Sequence, residues 1–369
     1  MAVAASHNPQ HDAKMKSETF HIIGGGIAGL ASALAVTNSG HQAIVIEKAT
    51  SFEAVGAGLQ LGPNAVRALQ KLGAWDAVSP ITTSPLEIQI RNGVNGKTLK
   101  SIPLGKSFEQ RHGMPYRVAQ RADLIQALLG VAKTKSNFSV QLDTEVIETP
   151  NFKNVIAADG VWSKIRQNLF PGSAAIVTKE VFYRANISNT SSDNVTLWLY
   201  PGGHVVHYPI GSPAKLNLVA ITQGQTPFVH FANACAELKE ILTLPEQWTT
   251  WPAAYVPPLQ QWHQNNVTLI GDAAHGTLPY LAQGAAMALE DAAALQNILM
   301  LDLNLDASQR FKKLGSIRIA RTNRLHRATM AAGKIYHMSG IAMTARNTAL
   351  EAMPTALFSR QQNWIYGQQ

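Results

Sequence analysis

Cysteine is almost missing from this chain: Cys235 is the only one in 369 residues. No internal disulfide and no cysteine metal cluster can form, which suits a reducing cytoplasm, and Cys235 itself reads as a small buried apolar residue. Long apolar runs are missing too. No uninterrupted stretch reaches the roughly 18 residues of a membrane span, and the N-terminal MAVAASHNPQHDAKMKSETF lacks the apolar centre of a secretory signal. With no internal repeat, low-complexity tract or Pro-rich linker, a second domain must be interleaved with the first. Two domains are expected at this length. Charged residues make up 15% against 46% hydrophobic, which argues against a disordered or fibrous protein and for a globular one with a large interior.

Acidic residues are outnumbered 23 to 31 by Lys and Arg, leaving a formal charge of +8. Such a balance suits nucleic acid, and equally small anionic ligands. Distribution decides between them. Basic residues are scattered, and the densest runs, Lys312–Lys313 and Arg318, Arg321, Arg324 and Arg327, read as a solvated helix face and not as a nucleic-acid surface.

Thr19–Ile23 reads as a short strand running into Gly24, Ile27–Asn38 as an Ala-rich helix and Gln42–Ile46 as a second strand, together a βαβ unit. Between about residues 176 and 223 the runs VTLWLY, HVVHYPI and KLNLVAIT alternate with period two between Gly/Pro turns, which predicts an antiparallel sheet. LEIQI and TLKSIPL, flanking an Asn-Gly turn at 95–96, are candidates for the same sheet. A buried strand VTLI follows Asn266, then a long Ala-rich helix from about Gln283 to Met300, and the remainder reads as helical.

Gly24, Gly26 and Gly29 form GxGxxG between that first strand and helix, the context in which the motif binds a dinucleotide. The helix N-terminus offers free N–H groups and a positive dipole end to phosphates. Glu47, followed by Lys48, closes the second strand where a carboxylate can accept hydrogen bonds from an adenosine ribose. These features alone do not separate NAD from FAD.

Two later segments do. Asp159-Gly160-Val161-Trp162-Ser163-Lys164-Ile165-Arg166 has the form DGxxSxxR, and Gly271-Asp272-Ala273-Ala274-His275 continues through Pro279 and Gln283-Gly284 to Glu290-Asp291. With GxGxxG, in this order and over nearly the whole chain, they resemble the class A FAD-dependent aromatic hydroxylases, in particular the salicylate-hydroxylase-like branch. The resemblance implies an α/β p-hydroxybenzoate-hydroxylase-like fold, in which a Rossmann-like FAD-binding domain is interleaved with an antiparallel-sheet substrate domain and followed by C-terminal helices. On that reading residues 1–18 are a flexible tail. Residues 19–80, 110–170 and 262–300 belong to the FAD domain, 81–109 and 171–261 to the substrate domain, and 301–369 to the helical region. Gly56-Ala57-Gly58 through Asn64 and Arg121-Ala122-Asp123-Leu124 resemble family segments beside the cofactor, which implies flavin contacts for Gly58 and Arg121. Asp159 belongs to a segment associated with both FAD and the nicotinamide donor. Asp272, after a Gly271 that permits close approach, is placed to accept from the ribityl chain, and the helix starting at Gln283-Gly284 would aim its dipole at the flavin pyrimidine edge. The family's β-hairpin before the DG segment is shortened or absent here, since Thr144-Glu145-Val146 is followed almost at once by Asn154-Val155-Ile156.

The implied activity is single-component: NADH or NADPH reduces FAD at a transient site, since only one GxGxxG is encoded. Oxygen then enters a phenolic or N-heteroaromatic small molecule, expected to bear a carboxylate, through a C4a-hydroperoxyflavin. Pro279 matches the family proline against the flavin. A base should face the ring, and His204 and Tyr208, four apart on a predicted strand, are the candidates; His207 falls on the opposite face. Arg184 is a candidate partner for a substrate carboxylate or for a structural salt bridge. His275 reads as a cap or packing residue, and Tyr336-His337 and Trp364 to Gly367 as packing in the C-terminal helices. The expected protein is a cytoplasmic monomer or homodimer using small aromatic substrate and O2, without nucleic acid, membrane or metal. Competing readings are a halogenase- or reductase-like flavoprotein on the same scaffold, whose WxWxIP halogenase signature is absent, and a flavin-binding protein without turnover.

Overall fold

The computed structural model describes residues 17–52, 57–188, 192–211, 215–301 and 304–367. Residues 1–16 of the expected tail and Gly56 lie outside the described residues. Ser17 and Glu18, read as tail, belong to the fold: Glu18 pairs with Arg310 at 2.9 Å.

Five parallel strands, Val267–Leu269, Val155–Ala157, Thr19–Ile23, Gln42–Ile46 and Phe138–Gln141, lie side by side in that order, with His263–Gln264 antiparallel at one edge. Val155–Ala157 and Val267–Leu269 are buried throughout, and Phe20, Ile22, Ala43 and Val45 are buried too, because helices cover the sheet as parallel strands require; the edge strand Phe138–Gln141 is only partly buried. Ile27–Asn38 and Gly284–Leu301 pack on one another through alanines, which let the two axes approach closely. No strand lies between Gln141 and Val155, so of the two expectations, a shortened or an absent hairpin, the structure has the second.

The second sheet has seven strands in the order Thr249–Tyr255, Ile176–Ser188, Lys215–Thr222, Gly203–Ile210, Val195–Tyr200, Glu87–Asn92 and Thr98–Pro103. It is mixed and not wholly antiparallel as the alternation suggested, because Val195–Tyr200 runs parallel to Glu87–Asn92. The long intervening chain makes the parallel crossover possible. Period-two alternation gives the sheet two dressed faces. Val205 and Leu218 pack with Trp198 beneath the helix Ala236–Thr243, while Tyr208 and Ile210 face Met287, Leu325 and Tyr366. Cys235 is half-buried at the N-cap of Ala236–Thr243 and not fully buried.

The 30-residue helix Ala307–Tyr336 corrects the arginine reading. Arg318 and Arg321 are buried, paired with Asp291 and Glu290 at 2.7 and 2.6 Å, because both carboxylates point inward from Gly284–Leu301 and need cations there. Arg324 stacks over Trp364 at 4.0 Å, and Arg327 is exposed.

Candidate active site

Sequence-distant motifs meet at the C-terminal ends of neighbouring parallel strands. Gly24 follows the strand Thr19–Ile23, Glu47 follows Gln42–Ile46, Asp159 lies just past Val155–Ala157, and Gly271 just past Val267–Leu269. Gly24 has φ +105°, and a Cβ on it would lie 2.5 Å from the Ala158 carbonyl oxygen, so the turn admits only glycine. Gly271, at φ +59°, would drive a Cβ to 2.6 Å from Ala28 Cβ. A Cβ on Gly29 would lie 1.8 Å from the Gly24 carbonyl oxygen, which fixes the helix against the strand end. Glu47 accepts from the N–H groups of Gly25 and Ala49 at 2.5 and 2.9 Å, and Lys48 is exposed.

Arg121 starts the helix Arg121–Lys133 and brings Nη2 to 3.9 Å from the place of a Cβ on Gly26. Gly58 donates its N–H to Asn217 Oδ1 at 2.7 Å, joining the glycine-rich side to the sheet. Asp272 is exposed, and its Oδ1 lies 4.0 Å from the place of a Cβ on Gly284, beside the start of Gly284–Leu301. Gln283 is buried. Its Oε1 accepts from Asn64 Nδ2 at 2.9 Å, while its carbonyl accepts the Met287 N–H and opens the helix. The preceding Ala282 is left-handed at φ +52°, which folds the loop back.

Opposite this loop stands one face of the mixed sheet. His204 and Tyr208 lie on it together, and His207 lies on the other face near Trp198, as alternation predicts. His204 is fully buried against Tyr280 and Tyr336, with ring centres at 5.4 and 5.3 Å. Its Nδ1 lies 2.8 Å from His337 Nε2, whereas Nε2 has no hydrogen-bond partner among the described residues. Burial, then the neighbouring His337, push its pKa well below the ordinary imidazole value, so the ring is neutral at neutral pH. Burial raises the Tyr208 hydroxyl, an effect Arg184 opposes, and the phenol stays protonated. Arg184 Nε is buried without a hydrogen-bond partner, and no carboxylate pairs with this guanidinium among the described residues. Burial lowers its pKa, Tyr208 raises it and Arg121 lowers it. Pro279 is exposed and begins the turn Pro279–Leu281 that buries Tyr280 against His204.

The FAD binding domain family matches this chain over residues 16–237 and 230–332. The 3-hydroxybenzoate 6-hydroxylase of Polaromonas naphthalenivorans (strain CJ2) is 32% identical, across 94% of this chain and 95% of the relative. The chain belongs to this family, the class A FAD-dependent aromatic hydroxylases. The 3-amino-4-hydroxybenzoate 2-monooxygenase PtmB3 of Streptomyces platensis is 30% identical over 94% and 95% of the two chains. In fold, the hydroxylase superposes on Klebsiella pneumoniae HpxO, solved with FAD and uric acid, at a TM-score of 0.85 and 20% identity, covering 96% and 98%. Its cofactor is FAD, with NAD(P)H as co-substrate. No helix among its described residues is long and apolar enough to cross a membrane.

The hydroxylase's strand ends fit FAD. Asp159 Oδ1 is buried with no partner, an acceptor waiting for a donor beside Gly24. The helices at Ile27 and Gly284 carry no acidic residue in their first turns, so their N–H groups face the crevice uncompensated. Three contributors escaped the motif reading. His337 was taken as packing and instead bonds His204. Asn217 reaches Gly58 from a strand with no motif of its own. Arg166 of DGxxSxxR is fully buried and donates to the Ala273 carbonyl at 3.0 Å, so it holds the GD segment in place. His275, expected as a cap or packing residue, is buried and hydrogen-bonded to Asp291, its Nε2 2.6 Å from Oδ2.

Proposed function

We propose that the protein hydroxylates a small phenolic acid of the hydroxybenzoate or hydroxypyridine-carboxylate class, with His204 as the base and Arg184 as the anchor for the carboxylate. The observation that carries this reading is the chemistry of one sheet face. A half-buried guanidinium, its Nε buried without a hydrogen-bond partner, beside Trp251 and without a carboxylate partner among the described residues, and a neutral imidazole with a free nitrogen stand two strands apart, opposite the turn at Pro279. Two strand spacings amount to about 10 Å, a gap that one substituted ring bridges once both side chains reach inward. The names of the relatives, which act on hydroxylated benzoates, support the same class.

Bound flavin supplies the activated oxygen. The chain's own residues prepare the ring: Arg184 orients it, and His204 Nε2 removes the phenol proton, which raises electron density at the ortho and para carbons. Tyr208, kept protonated by burial, donates a hydrogen bond on the same face. Pro279 shapes the flavin side of the pocket, and the aromatic wall of Tyr280 and Tyr336 excludes water. In this reading the Gly24–Gly29 turn, Glu47, Arg121, Asp159 and Gly271–Asp272 hold FAD. Gly58 acts through Asn217, Gln283 acts through Asn64, and Lys48 stays at the rim. The reaction belongs in the cytoplasm, where NAD(P)H is at hand.

The test is aerobic NADH and NADPH oxidation by the FAD-loaded protein with a panel of hydroxybenzoates, hydroxypyridine carboxylates and uncarboxylated phenols, products being read by mass. A phenolic acid that accelerates oxidation and gains one oxygen is the expected result. Stimulation by uncarboxylated phenols alone removes the anchor, and oxidation without oxygen insertion for every compound overturns the reading.

A further inference from the structure

The pocket sheet and the C-terminal helices share one polar contact between rings. His204 Nδ1 lies 2.8 Å from His337 Nε2, the first residue on the strand Gly203–Ile210 and the second at the end of the helix Ala307–Tyr336. His204 is fully buried and His337 half-buried. The backbone holds His337 to this position from both sides. Its carbonyl accepts the N–H of Gly202, two residues before His204, at 3.0 Å, and its own N–H donates to the Gly333 carbonyl at 3.1 Å. Tyr280, Tyr336 and His337 face His204, while Glu180, His230 and Arg346 face His337 from three other elements.

A hydrogen bond between two imidazole nitrogens needs one N–H and one lone pair, so the pair has two neutral arrangements. In one, His204 donates through Nδ1 and presents a lone pair at Nε2. In the other, His337 donates through Nε2 and His204 presents an N–H at its Nε2. The first arrangement suits a phenol and the second a phenolate.

Resting on the reading of His204 as the base, we infer that His204 and His337 form a two-ring relay that carries the phenol proton away from the buried His204 side of the site and later returns it. The phenol O–H bond breaks and its proton bonds to His204 Nε2. The Nδ1 proton of His204 passes to His337 Nε2, and His337 releases its Nδ1 proton to water. A phenolate and one solvent proton result, both rings remain neutral, and no electron moves. The reverse sequence delivers a proton to the product oxygen and resets the pair.

A relay is needed because the site cannot store the charge. In a Ser-His-Asp triad a carboxylate stabilises the imidazolium that forms. Among the described residues no carboxylate faces His204; burial, and then the neighbouring His337, keep it neutral, and burial also pushes His337 down to about 4, although Glu180 opposes this. His204 can therefore accept a proton only as fast as its neighbour removes one. His337 does not touch the ring to be hydroxylated and is a positioning residue for the base.

The experiment uses the FAD-loaded full chain without NAD(P)H, so that no turnover occurs, and 3-hydroxy-4-nitrobenzoate as a probe whose phenolate absorbs visible light. Rapid mixing follows phenolate formation at the site, and a pH indicator follows proton release. His337→Gln should keep flavin content and probe affinity within about twofold of wild type and slow phenolate formation at least tenfold. Free imidazole should restore the rate in His337→Ala. A wild-type rate in His337→Gln with a slow His204→Gln overturns the relay and leaves His204 as a base that exchanges directly with water. Wild-type rates in both variants overturn the base assignment and the relay together. The wild-type protein provides a check that needs no variant. In mixtures of light and heavy water, protons moving in concert give a curved dependence of the rate on deuterium fraction, and a linear dependence overturns the relay.

Discussion

Arg318 donates through Nε to Asp291 Oδ1 at 2.7 Å, and the other oxygen of that carboxylate lies 2.6 Å from His275 Nε2 and accepts the Gly271 N–H at 3.1 Å. One fully buried carboxylate thus ties the GD turn to the helix Ala307–Tyr336. Burial alone would raise the Asp291 pKa, but His275 and Arg318 outweigh it and the group lies below its ordinary value. Glu290 is lowered in the same way, burial being outweighed by Arg321, Arg318 and Asn64. A carboxylate depressed in the folded state contributes stability that is fully present above its unfolded pKa, about 4, and is lost as pH falls through the lower folded value. Asp291→Ala should cost about 3–5 kcal/mol, because it leaves buried Arg318 short of a partner. Urea midpoints measured against pH should show that loss at neutral pH and a flatter acid limb below about pH 4. A midpoint equal to wild type at pH 7 would contradict it.

Asp272 differs from Asp291 in being exposed, at the mouth of the crevice beside the start of Gly284–Leu301. Its side chain makes no hydrogen bond among the described residues, and its charge partner Arg166 keeps Asp159 as a second one, so Asp272→Ala should melt close to wild type. A hydrogen bond to a charged group contributes about 1.5–3 kcal/mol, and flavin affinity should fall by roughly 10- to 150-fold on that scale. Flavin content after gel filtration, with a thermal melt on the same sample, separates the two effects. Retention of FAD at wild-type affinity would remove Asp272 from the cofactor site.

The parts of the fold that could be read from sequence are those with a local signature. GxGxxG, the alternating strand runs and the Ala-rich helices each impose their geometry within about ten residues of chain, and all appear where expected. Pairings between distant segments carry no such signature. The parallel register of Val195–Tyr200 on Glu87–Asn92 depends on a crossover longer than any local pattern. The edge strand Thr249–Tyr255 contains Pro252, which reads as a strand breaker unless the edge position is known. Arg318 and Arg321 looked solvated because spacing reports a common helix side and not what lies opposite it. Glu290 and Asp291, one helix earlier, were the available signal. His337 had none, since its partner is 133 residues away.

Arg184 offers a cleaner discrimination among substrates than any other residue on the sheet face. Its buried Nε has no partner within the described fold, so removing the guanidinium leaves no carboxylate of the chain stranded. Arg184→Met should therefore fold normally. For a hydroxybenzoate, kcat/KM should drop by roughly 10- to 150-fold, the value of about 1.5–3 kcal/mol for a charged hydrogen bond, mainly through KM. An uncarboxylated phenol should lose much less. Equal losses for both compounds would mean that Arg184 supports the fold or the flavin and does not read the acid group.

His204 predicts a pH profile with a definite sign. Its pKa is lowered by burial and by His337, so the proton-free, basic form persists as pH falls through the ordinary imidazole value of 6.5. Wild-type kcat/KM should accordingly stay level across pH 6.5 and decline only further down. Without the base, a substrate phenol must ionise by itself, with a pKa ordinarily near 10. The His204→Gln rate should then rise about tenfold per pH unit toward that value. The deficit would be largest at low pH, on the order of 10²- to 10⁴-fold as for a general base, and would close as pH approaches about 10. Oxygenated product per NAD(P)H, measured between about pH 5.5 and 9.5, gives the profile free of uncoupled oxidation. A variant profile parallel to wild type would show that the ring is attacked without help from His204, because only a base makes the loss depend on the ionisation of its own substrate.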